Sequence, residues 1–296
     1  QMRKKIALLM TSRGCPFRCT FCACWKIMNG KCAVRNPESV VEELASLPEE
    51  VDLVNFADDN TLYDIRRAWR LSELIKERKI KKKFTMYART DTIVAHPDLI
   101  ENFRDAGLEC LTVGLESFKN SELDLLNKKT SVQTNIEAIR ILQKLGVSIA
   151  AHFMVNPDYT EEDFKQLFKY VRDMNLFRPA FPILTPLPGT ELYINNRDRF
   201  VIKNYDFFDF AHSIFPTKLD RREFYQQFAN LYKKSYSFQR YFRSKLKDLS
   251  LLFKKSKDHM PKNVDRLSLL RLVLTYIFAV PMYLRFRKTN KSEPLI

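Results

Sequence analysis

Hydrophobic residues along the first two thirds of the chain alternate between short continuous runs and helical spacing. The run Ile6–Met10 is apolar throughout, which predicts a strand buried on both faces. Val40, Val41 and Leu44 then recur at helical spacing, and Asn36 ahead of them is a typical helix N-cap. The pattern therefore predicts a buried strand followed by an amphipathic helix.

The same alternation continues to about residue 185, in units of about thirty residues. Further strands are predicted at 51–57, 84–88, 110–115, 147–154 and 179–185. Helices are predicted at 65–75 with Asp64 as N-cap, at 97–106 with Gly107 at its end, up to Leu145 and Gly146, and at 161–171. Repeats of this length indicate an α/β fold with parallel strands joined by right-handed crossovers. Periodicity leaves open whether the sheet closes, but ligands of such sheets collect at the carboxyl ends of the strands.

Three cysteines follow the first predicted strand directly. Cys15, Cys19 and Cys22 form a C-x3-C-x2-C run, and three thiolates so spaced can hold three corners of a [4Fe–4S] cubane. The fourth iron would then be open to a substrate or cofactor. The alternative is a structural zinc site with Cys24 or Cys32 as fourth ligand. Six cysteines in 296 residues are too few for a secreted disulfide framework, which favours a reducing compartment.

The cysteine run, with the aromatic Phe21 before its third cysteine, resembles the signature of the radical SAM family. The resemblance implies that the three cysteines hold the cluster and that S-adenosylmethionine (SAM) chelates the open iron, with Phe21 contacting this cofactor. One electron would cleave SAM to a 5′-deoxyadenosyl radical that abstracts hydrogen from a substrate. It also implies a partial (β/α)6 TIM-like barrel over 1–195 and a flavodoxin- or ferredoxin-like electron donor.

Polar residues at the ends of strands two and three fit the same family. Asp58, Asp59 and Asn60 stand where the family binds the amino end of SAM, although any of them could instead cap the next helix. Tyr87 and Arg89 are predicted catalytic residues. Arg89 is also the predicted ligand of the SAM carboxylate, with pairing to a neighbouring aspartate as its alternative.

Later strand ends supply the remaining candidates. Glu116 shares a strand face with Gly114, so it is expected to point toward the site, as a catalytic residue and as a partner of a ribose or ammonium group. A structural salt bridge is the competing interpretation. Pro188 lies in a rigid turn that borders the adenine in the family. His152 is interpreted as a satisfied core histidine rather than as a substrate ligand.

Segments 58–60, 89–91, 114–117, 157–164 and 185–190 together resemble the cobalamin-dependent branch of the family. That branch includes hopanoid and other lipid C-methylases and some ring-forming enzymes. The predicted reaction is therefore C-methylation of a hydrophobic metabolite or lipid, with an oxidoreductase or cyclase as the alternative. The branch carries a cobalamin-binding domain before the barrel. Here only five residues precede Ile6, so that domain lies on a removed part or a separate chain, or cobalamin is not used.

Basic charge is concentrated at the C-terminal end. Residues 217–296 hold nineteen basic and six acidic residues, a net charge of +13 within the +15 of the whole chain. We therefore predict a basic, mostly helical extension over 196–296. Its apolar run Leu267–Leu284 predicts an interfacial membrane helix or a helix packed on the barrel.

The partners and location follow from these features. A small-molecule or lipid substrate is expected, and no specific nucleic acid, although a non-catalytic metal-cluster protein that binds nucleic acid through the basic end is a second function class. Lys4 and Lys5 precede only a short apolar run, so no signal peptide is expected. The predicted location is the cytoplasm, with peripheral attachment to the cytoplasmic face of the membrane as an alternative.

Overall fold

A computed structural model describes residues 5–237 of the chain. Within this range six parallel strands form one sheet, and their spatial order follows their order along the chain. A separate antiparallel pair flanks the cysteine run. The strands are β1 (Lys5–Leu9), the short pair β2 (Ser12–Arg13) and β3 (Ala33–Val34), β4 (Val51–Phe56), β5 (Lys83–Ala88), β6 (Leu108–Glu116), β7 (Ser148–Phe153) and β8 (Arg178–Ala180).

Helices connect the strands, and their ends carry the capping residues that the sequence predicts. The Asn36 side chain accepts a hydrogen bond from the first turn of its helix, and the Asp64 side chain does the same one helix later. Gly107 and Gly146 end two further helices at φ +117° and +73°. The helices are α1 (Cys24–Ile27), α2 (Pro37–Ser46), α3 (Ile65–Glu77), α4 (Thr90–Ala95), α5 (Pro97–Ala106), α6 (Asn120–Leu125), α7 (Val132–Leu145), α8 (Glu161–Asp173), α9 (Glu191–Asn195) and α10 (Arg221–Ser235).

The two faces of the sheet differ in what they bury. Residues such as Val54, Phe84 and Leu111 are fully buried in the main hydrophobic core, where they pack with residues of the surrounding helices. Because side chains alternate along a strand, their neighbours Asn55 and Thr85 point to the opposite, concave face, where they are half-buried. The predicted α/β fold is confirmed, and it is consistent with a partial TIM-like barrel whose concave face is left for ligands.

The first and last strands differ from the prediction. β1 lies at the sheet edge with Ile6 58% and Leu8 73% exposed, so the expectation of a strand buried on both faces was wrong. The apolar run is real, but nothing among residues 5–237 covers the concave side of β1. The predicted strand over 179–185 is shorter, at Arg178–Ala180, and lies at the opposite edge, as its prolines indicate.

Beyond the sheet, α10 packs on α8, and the rings of Phe224 and Phe164 meet edge to face with centroids 5.6 Å apart. The boundary predicted between residues 195 and 196 stays a prediction. Leu267–Leu284, for which a membrane or packing role was predicted, lies outside the described residues. Within residues 5–237, the helices are too short or too polar to cross a bilayer.

Candidate active site

The predicted cluster cysteines lie in a loop fixed on both sides by backbone hydrogen bonds. Cys19 is buried, whereas Cys15 and Cys22 are half-buried, and all three are free thiols. Between them, the amide of Thr20 donates to the Leu126 carbonyl at 3.1 Å, and its carbonyl accepts from the Leu192 amide at 2.9 Å. The loop is thus held between the segment after α6 and the start of α9, with its thiols at the carboxyl edge of the sheet.

Positive charges and hydrogen bonds act on these thiols. Burial raises the pKa of Cys19, while the nearby cations Lys128 and Arg89 oppose that rise. The pKa of Cys22 is lowered to about 7, chiefly by a hydrogen bond from the Cys24 thiol. Thiolates are the form that binds iron, and an anionic iron–sulfur cluster is stabilised by adjacent cations. The donor set and its surroundings therefore fit such a cluster.

The zinc alternative requires ligands that surround a single metal ion, which differs from the arrangement around a cubane cluster. Among residues 5–237, no three histidine, cysteine, aspartate or glutamate side chains are grouped to hold a single ion. A cubane instead places each ligand on a separate iron, which spreads the sulfurs further apart. Cys24 and Cys32, the two cysteines considered as a fourth zinc ligand, are both hydrogen-bonded within the protein. The Cys24 side chain is hydrogen-bonded to Cys22, and the Cys32 side chain to Tyr63.

Asp58 and Asp59 hold the chain where it enters the cysteine loop. Asp58 Oδ1 accepts from the backbone amides of Thr11 and Ser12 at 2.6 and 3.0 Å, and Oδ2 accepts from the Thr11 hydroxyl at 2.5 Å. Asp59 Oδ2 accepts from the Gly14 amide at 2.7 Å. Neither carboxylate caps α3, whose cap is Asp64. Both aspartates thus lie after β4, as predicted, and their carboxylates accept hydrogen bonds from the protein.

Asn60 differs from these two aspartates. Its side chain is buried, yet neither its amide nitrogen nor its amide oxygen has a hydrogen-bond partner among the described residues. A buried polar group without a partner is costly unless a ligand or water satisfies it. Asn60 is therefore the member of this triplet whose hydrogen-bonding capacity remains for a cofactor.

The contacts of Asp58 give a test of its structural role. We expect Asp58→Ala to lower the free energy of unfolding by about 3 kcal/mol, because the buried amides of Thr11 and Ser12 lose their acceptor. Chemical denaturation measures this loss, and Asp52→Ala, at an exposed position of β4, is the matched control. An unchanged stability of Asp58→Ala, together with weakened SAM binding, would show that Asp58 acts on the cofactor and not on the loop.

Arg89 is held entirely by protein groups. Its Nε lies 3.0 and 3.1 Å from the two Asp91 oxygens, and its Nη2 donates to Asp91 Oδ2 at 2.8 Å and to the Lys128 carbonyl at 2.6 Å. The guanidinium stacks 3.5 Å from the centroid of Phe17, and Nη1 lies 4.0 Å from Cys19 Sγ. Arg89 was predicted to bind either the SAM carboxylate or a neighbouring aspartate, and in the structure it pairs with Asp91. It also faces Cys19, a predicted ligand of the cluster.

Glu116 forms a buried ion pair, which is the competing interpretation given from the sequence, but its partner Lys128 was not predicted. Oε1 of Glu116 lies 2.7 Å from Nζ of Lys128, and the side chains are 6% and 9% exposed. Burial, which would lower the pKa of Lys128, is outweighed by Glu116, so that pKa is raised. Oε2 of Glu116 has no partner among the described residues. Glu116 adopts φ +61°, a strained conformation for this residue type that turns the chain after β6.

The ion pair lies directly over Gly114. A Cβ at Gly114 would approach Glu116 Oε1 to 2.2 Å and Lys128 Nζ to 2.9 Å, so only glycine leaves room for the pair. Gly114 is in register with His152 on β7, and burial lowers the pKa of that imidazole. His152 is half-buried and has no hydrogen bond to the described residues, so it is not the satisfied core histidine expected from the sequence.

Three predicted residues remain. Tyr87 is the penultimate residue of β5 and is 41% exposed, Phe21 is half-buried within the cysteine loop, and Pro188 is exposed. A cavity of about 270 Å³ adjoins the loop at Thr20. Its lining is mostly apolar but also includes acidic and amide side chains and Arg199, and no pattern in the sequence predicts it. Its lining includes Leu125, Leu126, Met154, Leu184, Leu192 and Phe215, with Glu122, Asp158, Glu191 and Asn156.

The model of the Radical SAM superfamily matches residues 9–171, which is more than half of the chain and includes the cysteine loop, Glu116 and Lys128. The chain belongs to the radical SAM superfamily. Membership implies a [4Fe–4S] cluster and SAM as cofactors.

Relatives of this radical SAM chain differ in the reactions that their names state. Hopanoid C-3 methylase of Methylococcus capsulatus is 26% identical over 227 residues, covering 75% of this chain and 44% of that protein. The anaerobic magnesium-protoporphyrin IX monomethyl ester cyclase of Rubrivivax gelatinosus is 28% identical over 237 residues, covering 79% and 42%. The chain thus spans less than half the length of these curated relatives.

A solved structure shows the same fold. The radical SAM methyltransferase TsrM from Kitasatospora setae superposes with a TM-score of 0.59 at 18% identity, covering 66% of this chain and 39% of TsrM. At this identity the likeness concerns the fold of the barrel.

Proposed function

We propose that this chain is the radical SAM barrel of an enzyme that methylates an unactivated carbon of a hydrophobic metabolite or lipid. The observation that carries the radical part is the cysteine loop, where buried Cys19 lies beside the cations Lys128 and Arg89. Cys15, Cys19 and Cys22 would hold the [4Fe–4S] cluster. The name of the hopanoid methylase relative supports the methylation part.

When bound, the cluster and SAM supply a 5′-deoxyadenosyl radical that removes hydrogen from a substrate carbon. The chain's own groups bind and orient SAM. Lys128 uses one N–H on Glu116 in the described structure, so its ammonium can also bind the SAM carboxylate, the role first predicted for Arg89. Oε2 of Glu116 can accept from a ribose hydroxyl, and the Asn60 amide can bind the amino end. Tyr87, open on the concave face, is positioned to touch the substrate.

A hydrophobic substrate is supported by the surface that β1 presents. Leu9 is buried in the core, so the alternation of the strand places Ile6 and Leu8 on the concave face, where both are largely exposed. Apolar side chains on an open face are stabilised when an apolar ligand removes them from water. A flat or extended lipid-like molecule lying along β1 would do so.

The cyclase relative favours a second candidate, a radical SAM cyclase that transfers no methyl group. The two functions consume SAM differently. Radical formation releases 5′-deoxyadenosine and methionine, whereas donation of a methyl group leaves S-adenosylhomocysteine. Cobalamin is the methyl carrier proposed for the first function, and its need is tested in the same experiment.

The test is an anaerobic assay of the cluster-loaded protein with SAM, dithionite and, in parallel, added cobalamin. We expect 5′-deoxyadenosine in every reduced sample, and S-adenosylhomocysteine in addition when cobalamin is present. Liquid chromatography with mass detection measures both products. Absence of 5′-deoxyadenosine contradicts the radical function, and 5′-deoxyadenosine without S-adenosylhomocysteine under both conditions favours the cyclase.

A further inference from the structure

Arg89 is a buried cation to which the proposed reaction gives no role. Its side chain is 7% exposed, and burial of a charged group is costly unless partners compensate for the lost hydration. Asp91 and the Lys128 carbonyl do so at Nε and Nη2. The third nitrogen, Nη1, has no oxygen acceptor among residues 5–237, and its contact is Cys19 Sγ at 4.0 Å.

The orientation of this guanidinium is fixed by two contacts. Asp91 holds the edge formed by Nε and Nη2, at 2.8 to 3.1 Å. The ring of Phe17, a residue of the cysteine loop, lies against the guanidinium with 3.5 Å between Cζ and the ring centroid. A planar group held at an edge and against a ring has little freedom to rotate. The Arg89–Asp91 pair therefore directs its positive end to Cys19, with the aspartate on the opposite edge.

Lys128, the second cation near Cys19, acts together with an anion. Burial raises the pKa of Cys19, Lys128 opposes that rise, and Glu116 adds to it. Because Lys128 and Glu116 are an ion pair with 2.7 Å between Nζ and Oε1, their effects on the Cys19 sulfur partly cancel. Arg89 is thus the cation whose charge is directed at this sulfur.

A fixed charge beside a ligand sulfur changes the reduction potential of an iron–sulfur cluster. One-electron reduction adds one negative charge to the cluster, so a neighbouring cation stabilises the reduced state more than the oxidised state. The effect is larger where water is excluded, and Cys19 is buried. A guanidinium stays charged throughout the neutral pH range, so this stabilisation does not change with pH there.

We propose that Arg89 is a positioning residue that raises the reduction potential of the cluster by holding its Nη1 against the sulfur of Cys19. The inference rests on the proposed function, since it requires a [4Fe–4S] cluster on Cys19. In the step concerned, a one-electron reductant such as dithionite loses an electron and the cluster gains it. The cluster passes from the 2+ to the 1+ state, and no bond is made or broken.

The experiment is a redox titration of the full chain, loaded with iron and sulfide and free of SAM. Electron paramagnetic resonance measures the reduced cluster at a series of fixed potentials. In Arg89→Met we expect the ratio of reduced to oxidised cluster at a given potential to fall at least about tenfold, a shift of about 59 mV for one electron. Arg89→Lys keeps the charge, so its ratio is expected to stay within about threefold of the wild-type value.

Asp91→Asn tests the direction of the effect. The asparagine keeps an oxygen acceptor for Arg89 but removes the negative charge that compensates it. The ratio of reduced to oxidised cluster is therefore expected to rise, by at least about threefold. A purely structural role of the Arg89–Asp91 contact predicts no such rise.

Two matched controls separate the charge from its surroundings. Phe17→Leu removes the stacking partner but keeps the cation, and Arg70→Met removes one positive charge from an exposed position of α3. Water and salt screen an exposed charge, so the potentials of both controls are expected to keep the ratio within about twofold of the wild-type value.

Equal potentials of Arg89→Met and the wild-type chain overturn the role of Arg89. So does a shift in Phe17→Leu as large as that in Arg89→Met, since packing of the loop would then set the potential. If Arg89→Met binds no iron, Arg89→Gln is compared with Arg89→Lys, and a lower potential in the glutamine variant supports the role, whereas equal potentials overturn it. A cluster-loaded wild-type chain that yields no 5′-deoxyadenosine with SAM and dithionite contradicts the proposed function, while the potentials still decide the role of Arg89.

Discussion

Replacing any one of Cys15, Cys19 and Cys22 by alanine is expected to reduce bound iron from about four atoms per chain to near zero. Each thiolate would hold a different iron, so the loss of one opens a corner of the cubane to solvent and oxidation. SAM cleavage is expected to fall below detection in all three variants. Iron analysis and the visible absorbance of the anaerobically loaded protein check the first effect, and product chromatography checks the second.

Cys32→Ala is the matched control, because Cys32 lies in the same segment and its hydrogen bond goes to Tyr63. Cys24→Ala is a second comparison, in which the hydrogen bond to Cys22 is lost but no proposed iron ligand is removed. Both variants are expected to keep their iron. Normal iron content and normal SAM cleavage in Cys15→Ala, Cys19→Ala and Cys22→Ala would contradict the proposed cluster. Loss of metal from the Cys24 or Cys32 variant, with one metal ion per wild-type chain, would instead indicate the zinc alternative.

The second large effect is expected at the ion pair over Gly114. Lys128→Met removes the partner of a buried carboxylate, which costs about 3–5 kcal/mol of unfolding free energy. The same change is expected to weaken SAM binding at least about tenfold, because the carboxylate of SAM loses a charge-assisted hydrogen bond. Denaturant titration and equilibrium dialysis of the cluster-loaded protein measure the two effects.

A double variant separates stability from binding. Adding Glu116→Gln to Lys128→Met removes the unpaired buried charge, so we expect part of the lost stability, about 2 kcal/mol, to return. SAM affinity is expected to stay low. If the double variant binds SAM as the wild-type chain does, Lys128 is not the carboxylate ligand, and its pairing with Glu116 is purely structural.

Local signals in the sequence were sufficient for most of the helices. Asn36 and Asp64 cap helices where they were expected, and Gly107 and Gly146 end helices where a left-handed residue is required. Helix caps and C-terminal glycines act within a few residues of the helix end, so they can be predicted from the sequence without knowledge of the fold. The burial of β1 was not readable in this way, because an apolar run does not tell which of its faces another element covers.

Only one residue of the ion pair at the centre of the candidate site could be predicted from the sequence. Glu116 stands at a strand end and attracted attention for that reason, whereas Lys128 lies in the run Asn127-Lys128-Lys129, which resembles an ordinary solvated loop. Asn127 and Lys129 adopt φ +49° and +55°, and this double left-handed turn directs Lys128 into the protein. Neither residue is glycine, so composition gave no warning of the turn.

The contacts of Arg89 and Asp58 depend on the tertiary structure. From the resemblance to the family, Asp58 was predicted to bind the amino end of SAM, and Arg89 to bind its carboxylate or to pair with Asp91; the SAM roles stay predictions. In the structure Arg89 is held by Asp91 and the Lys128 carbonyl, and Asp58 by backbone amides of the loop entrance. A sequence shows where a charge stands in the order of the fold, but not whether a neighbouring backbone group already uses it.

The exposed edge of β1 has a practical consequence for handling the protein. Among residues 5–237 this strand pairs with β4 on one side only, which leaves a row of backbone donors and acceptors beside Ile6 and Leu8. Such an edge is a template for another copy of the same strand. Concentrated solutions of the isolated barrel would accordingly self-associate edge to edge, and a substrate-like detergent that covers this strand would keep the preparation monodisperse.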